Sequence, residues 1–198
     1  MKTYVATKNL GKLDELRAIF HGSPLKLDTY DGYTDVEEGE ADYVENALLK
    51  ARALQAQLRA AGVVSAAVLG DDSGLEVAAL GNRPGVLSAR YAGENATWAE
   101  RRAELLRELE DVPHDQRNAR FVCVMALLLP TGEEFVGEGV VDGRITTEER
   151  GEHGFGYDPV FFYEPAHETF AELPTQSKNR LSHRARAAES ILAAFEER

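Results

Sequence analysis

Three observations predict that this 198-residue chain folds as one α/β domain on a mixed β-sheet. The β-prone stretch Thr3 to Ala6 passes through a polar loop into apolar residues at helical spacing, the signature of strand, loop and helix. A long helical stripe from Val44 to Leu58 leads into the buried-strand run Ala66 to Leu69. Two β-rich runs, Ala119 to Leu129 and Phe135 to Val141, flank the turn Pro130-Thr131-Gly132-Glu133, which makes them an antiparallel hairpin.

In chain order, the first helix carries Leu13, Leu16, Ile19 and Phe20 on one side. Asp31 to Asp42 is acidic, with little apolar material beyond Tyr33 and Val36, and is expected as an exposed or site-lining loop. Asp42, with Glu45 three residues on, is a capping-box variant that opens the second helix. Val44, Ala47, Leu48, Ala51, Leu54 and Leu58 are its buried stripe, and Gly62 stops it. The Ala66 strand is expected to end in Gly70-Asp71-Asp72-Ser73-Gly74, leaving two carboxylates at its carboxyl end. Thr97 and Glu100 form a second capping box, opening a helix through Leu105, Leu106 and Leu109 that ends before Pro113. After the hairpin, a loop with three glycines, Gly151 to Pro159, leads into the short strand Val160-Phe161-Phe162. A last helix buries Ala188, Ile191, Leu192 and Phe195.

Composition narrows the function. Against 22 basic residues stand 34 acidic ones, a formal net charge of -12, which argues against a protein that tracks long nucleic acid by neutralising phosphates but not against a local anion pocket. Cys123 is the only cysteine and lies in the apolar run Phe121 to Leu129, so it is expected as a buried thiol, with no disulfide framework and no cysteine-built metal site. Lys8, Asn9 and Lys12 interrupt any signal-like stretch, and Phe121 to Leu129 is about half of the roughly 20 residues that span a bilayer. The expectation is a cytoplasmic protein without a membrane segment.

Four groups of residues can carry chemistry. Thr7, Asn9 and Lys12 sit where strand hands over to helix, a place suited to phosphate, although Thr7 or Asn9 capping the helix accounts for them equally well. Glu37, Glu38, Asp71 and Asp72 offer carboxylates for a magnesium–nucleotide site, with Asp72 first among them; the plainer alternative is a turn and a solvated loop. Lys178, Arg180, His183, Arg184 and Arg186 concentrate positive charge. With a helix starting near Ser182, His183 and Arg184 fall in its first turn, which the helix dipole disfavours, so an anion or acceptor should compensate. In Gly154-Phe155-Gly156-Tyr157-Asp158-Pro159, a Phe between glycines can stack on a flat base, and Asp158 can fix a ring N–H or orient a lysine; a Gly-rich turn with a core Phe is the alternative.

Taken in order, Thr7-Lys8-Asn9-Leu10-Gly11-Lys12, Glu45-Asn46-Ala47, Asp71-Asp72-Ser73-Gly74-Leu75, Pro84 to Gly93, Phe155 to Pro159 and Leu181-Ser182-His183-Arg184 resemble the inosine triphosphate pyrophosphatase family, also called XTP/dITP diphosphatases. The resemblance spans nearly the whole of 1–198. It implies an elongated mixed β-sheet with flanking helices, and two lobes around a central nucleotide-binding cleft. It also implies a homodimer, Mg2+, and hydrolysis of non-standard purine nucleoside triphosphates (ITP, dITP, XTP) to monophosphate and pyrophosphate, which cleanses the nucleotide pool. By the same resemblance Asp72, Lys12 and Glu38 are catalytic, with Asp72 and Glu38 holding the metal. Thr7, Lys8, Asn9, Leu10, Gly11, Lys12 and Ser73 hold phosphate, and Phe155, Gly156, Tyr157, Asp158, Lys178, His183 and Arg184 hold the base. Lys8 stands where many relatives have Gly, and Glu40 and Asp42 where they often have Gly and Thr, so Glu38 is preferred to Glu37 by counting back from Glu45. Two rivals remain at this stage: a nucleotide-binding protein without hydrolysis, and a similar enzyme for pyrimidine or methylated nucleotides.

Overall fold

The computed structural model describes residues 1–39 and 42–197. Glu40, one of the two loop departures, lies outside them. Among the described residues eight strands form one sheet in the order β2-β1-β3-β5-β6-β7-β8, with β4 paired to β3. They are β1 (Lys2–Val5), β2 (Lys26–Asp28), β3 (Ala67–Val77), β4 (Arg83–Gly85), β5 (Asn118–Leu128), β6 (Glu134–Ile145), β7 (Phe161–Tyr163) and β8 (Glu168–Thr169). The helices are α1 (Leu10–Ile19), α2 (Tyr43–Ala60), α3 (Trp98–Glu108), α4 (Thr175–Leu181) and α5 (His183–Glu196). β1 is parallel to β2 and β3, whereas β3–β4, β6–β7 and β7–β8 are antiparallel, so the sheet is mixed as expected.

The chain forms two compact units. One comprises Met1–Asp72, Cys123–Gly139 and His183–Arg198, and the other Ser73–Val122 and Val140–Ser182. In the first, the sheet is covered on both faces, and the pleat sorts its residues. Leu69, Cys123, Met125 and Leu127 pack with Leu13 and Leu16 of α1 and Ala188 and Ile191 of α5, while Val68, Val124, Ala126 and Leu128 pack with Ala47, Ala51 and Leu54 of α2. This explains why β5 is a continuous apolar run and not an alternating one, and why Cys123 is buried. In the second unit, Leu105 of α3 and Leu109 at its C-terminal cap share a core with Phe121, Phe161 and Phe170, whose rings lie 4.4 to 5.9 Å apart.

The capping box of α3 forms as predicted, Thr97 and Glu100 each accepting from the other's backbone N–H. For α2 the cap is Asp42, which accepts from Val44 N at 2.7 Å. Its buried stripe is rotated from the expected one: Val44 is exposed, and Asn46 and Lys50 are buried beside Ala47, Ala51, Leu54 and Leu58. A second correction concerns the two aspartates, which lie inside β3 and not at its end. Gly70 is there for close packing and not for a turn, since a Cβ on it would stand 2.3 Å from the Ala47 carbonyl oxygen of α2.

Candidate active site

The strand pleat divides the aspartates. Asp71 follows the Leu69 face toward α1, where Lys12 Nζ lies 3.0 Å from Asp71 Oδ2. Asp72 follows the Val68 face toward α2, where Lys50 Nζ donates to Asp72 Oδ1 at 2.9 Å and Asn46 Nδ2 to Asp72 Oδ2 at 3.1 Å. Lys50 also donates to the Asp71 carbonyl at 3.0 Å and lies 2.7 Å from Glu38 Oε1, so one ammonium joins both acids. Asn46 holds the Glu38 loop, donating to Gly39 O at 3.1 Å and accepting from Gly39 N at 2.8 Å. Of the two glutamates the sequence left in competition, Glu38 reaches this cluster and Glu37 is exposed.

Opposite shifts in proton affinity follow. Burial pushes the Asp72 carboxyl above its ordinary value, a rise that Lys50 and Asn46 oppose without cancelling. Burial acts on Asp71 too, but Lys12, Arg184 and Lys50 outweigh it and hold that carboxyl below the ordinary value. Burial alone would lower Lys50, yet Asp72, Asp71 and Glu38 together raise it and keep it charged. Two adjacent carboxyls pushed apart in this way are suited to different tasks, Asp71 as a fixed counter-charge and Asp72 as a proton acceptor.

In the Thr7 to Lys12 loop, the capping alternative is realised. Asn9 caps α1 by accepting from Lys12 N at 3.0 Å, and Thr7 Oγ1 accepts from Asn9 N at 3.1 Å. Lys8 pairs with Asp35 at 3.1 Å, Leu10 is 71% exposed, and Gly11 lies close enough to Asn9 that a Cβ there would stand 3.4 Å from its side-chain oxygen. Capping does not displace an anion, because the first turn of a helix presents N–H groups without intrahelical acceptors. This loop and Glu38 meet in a cavity of 210 Å³ lined by Thr7, Asn9, Lys12, Tyr33, Glu38 and Lys50, among others, and Asp71 and Asp72 stand behind its wall, paired with Lys12 and Lys50. Burial, with Asp35 nearby, pushes the Tyr33 hydroxyl up to about 12, so it stays a neutral hydrogen-bonding wall.

The base group divides between the units. In the second, Asp158 Oδ2 accepts from Lys178 Nζ at 2.6 Å and from Phe155 N at 2.7 Å, and Lys178 Nζ stands 4.8 Å from the Phe155 ring centroid. Of the two roles open to Asp158, orienting a lysine is the one seen. Tyr157 donates its hydroxyl to Ser88 O at 3.0 Å. Ser73 lies in β3 at the start of this unit. In the first unit, His183 begins α5 and is buried, and Arg184 pairs with the buried Glu15 at 3.3 Å, the acid that its place at the helix start required. Gly139 of β6 lets α5 start there: a Cβ on it would stand 2.1 Å from His183 O and 2.3 Å from Ala187 N.

The model of the Ham1 family matches residues 3–194. The chain belongs to the Ham1 family. It is 46% identical to a dITP/XTP pyrophosphatase of Geobacter sulfurreducens over 92% of this chain and 90% of that one, and 47% identical to one of Geobacillus kaustophilus over 98% and 93%. Its fold matches a HAM1 protein from Coxiella burnetii (TM-score 0.86, 38% identity, all of both chains) and the Staphylococcus aureus Ham1 protein (TM-score 0.84, 36% identity, 100% and 99%). Within this Ham1 chain, sequence reasoning missed Lys50 and gave Asn46 no task. The signal was present: two polar residues four apart, flanking Ala47 and Ala51, where a polar side chain needs a buried partner.

Proposed function

We propose that the chain hydrolyses non-standard purine nucleoside triphosphates, ITP, dITP and XTP, to the nucleoside monophosphate and pyrophosphate. The observation that carries this reading is the cavity where the Thr7 to Lys12 loop faces Glu38 and Lys50, the lysine that pairs in turn with Asp72. The dITP/XTP pyrophosphatases at 46% and 47% identity support the substrate class.

In this reading the first turn of α1, with Lys8 and Lys12, takes the triphosphate charge. Asp72, whose burial favours the protonated form, accepts a proton from the attacking water as a new oxygen–phosphorus bond forms and the bridge between the α- and β-phosphates breaks. Lys50 and Asn46 hold Asp72 and Glu38 in register, which fixes the direction of attack.

Magnesium suits this donor set. Glu38 and Asp72 supply hard carboxylate oxygens, and one or two carboxylates completed by phosphate oxygens and water are the donor set that magnesium prefers. When bound with the triphosphate, the ion would neutralise phosphate charge and polarise phosphorus.

Phe155 and Lys178 engage the purine face and its 6-oxo edge. Adenine presents a donor where inosine and xanthine present an acceptor, so a lysine donor rejects ATP. The enzyme works as a cytoplasmic homodimer on the free nucleotide pool. No helix among the described residues is long and apolar enough to cross a membrane.

The test is kcat/KM for ITP, dITP, XTP, GTP and ATP with magnesium and with EDTA, products resolved as monophosphate and pyrophosphate. ITP should exceed ATP by about 10² or more, and EDTA should abolish turnover without unfolding the chain. Equal values for ATP and ITP, or release of single phosphates, would refute the proposal.

A further inference from the structure

We infer that Arg102, on α3 and outside every group discussed above, is a positioning residue that pre-sets the Phe155 loop for the purine. The inference rests on Phe155 and Lys178 engaging the base, as proposed above. Gly154 and Gly156 flank Phe155 with φ of +74° and +65°, the backbone region that costs glycine least and leaves it freest when unfastened. On one side the loop is fastened from within, by Phe155 N donating to Asp158. On the other side it is fastened from α3. Arg102 Nη1 donates to Gly156 O at 2.8 Å, while Arg102 Nε stands 2.9 Å from Glu149 Oε1, with the arginine side chain only 14% exposed.

One helical turn back on the same face, Trp98 meets the Tyr157 ring edge-on at 5.5 Å, and its ring edge lies 3.8 Å from where a Gly156 Cβ would be. The pair Trp98 and Arg102 thus grips consecutive loop residues through the ring of one and the carbonyl of the other. A loop held in its binding conformation is not ordered at the expense of affinity when the base arrives. Removing the grip should therefore weaken base binding and leave the phosphate chemistry, which lies on other residues, largely untouched.

The experiment measures binding of inosine monophosphate by calorimetry, and kcat and KM for ITP, in wild type, Arg102→Met, Arg102→Lys, Glu149→Ala and Phe155→Ala. Arg102→Met keeps the apolar stem and loses every donor; its Kd and KM should rise about tenfold with kcat within about twofold, and Arg102→Lys should recover most of the loss. Trp98 is the only tryptophan, so its emission should shift to the red in Arg102→Met and not in Arg102→Lys. Glu149→Ala, which frees the guanidinium, should move Kd the same way by about threefold and decides the matter if Arg102→Met does not fold. A Kd within twofold of wild type in the Arg102→Met protein, or in Glu149→Ala where Arg102→Met does not fold, overturns the inference. Weakening by Arg102→Met without weakening by Phe155→Ala also overturns it, because the tether would then not act through Phe155. An unchanged Kd in Phe155→Ala refutes the base platform itself.

Discussion

Asp71 and Asp72 are neighbours in sequence with opposite surroundings, and their substitutions should separate accordingly. Asp72→Asn keeps the size of the side chain and one of its two acceptor oxygens, gives up the hydrogen bond from either Lys50 or Asn46, and removes the proton acceptor. We expect a folded protein with kcat lowered by about 10² or more, checked by ITP turnover at saturating magnesium together with the melting temperature. Asp71→Asn removes the charge opposite Lys12 at a site where the carboxylate is 1% exposed. The melt should show a loss on the order of 3 kcal/mol, with a smaller fractional loss of turnover in the folded remainder. Near-wild-type turnover in Asp72→Asn, or a larger stability loss there than in Asp71→Asn, would reverse the assignment. The sequence made Asp72 legible as a candidate because paired acids beside a strand invite it. It hid Lys50, because a lysine in a helix is ordinarily a solvated one, and only the partners brought from Glu38 and β3 make this one different.

Elements with many residues of one period were legible: α2 and α5, the β5–β6 hairpin, and the capped start of α3. The two- and three-residue strands β2, β4 and β8 were not, since such short pieces are strands only because a neighbour offers a ladder. Two predictions belong to this scale. Gly139→Ala drives a methyl into the α5 backbone and should cost about 3 kcal/mol in urea denaturation, whereas Gly132→Ala, with open space but φ of +98°, should cost about 1 kcal/mol. The second concerns Glu108 of α3, which accepts from the Tyr91 hydroxyl at 2.6 Å and from Arg83 Nη2 at 2.7 Å. Tyr91 first, with Arg83, holds its carboxyl below the ordinary 4.5. A depressed carboxyl stabilises the fold above its unfolded pKa and loses that effect as pH falls through its folded one. The gap in melting temperature between wild type and Glu108→Gln should thus be widest above about pH 5 and close at lower pH. A gap that widens on acidification would contradict this.

At the scale of the whole molecule, a net charge of -12 opposes approach of a nucleoside triphosphate, and the lysines at the 210 Å³ cavity, each paired with an acid, must exchange part of that pairing for phosphate when one binds. The proposed homodimer has a direct check: sedimentation equilibrium at micromolar protein should give twice the 21.8 kDa chain mass, and a single species at 21.8 kDa throughout would remove it.

The alternation along β3 also limits how the gene for this chain can change length. Because successive residues of a strand face opposite ways, inserting or deleting one residue just before Asp71 would turn the Asp71 side chain toward Lys50 and Asp72 toward Lys12. Substitutions nearby can be graded in their effect, whereas a one-residue indel exchanges the two acids outright. Length variation in this strand should therefore come only in steps of two.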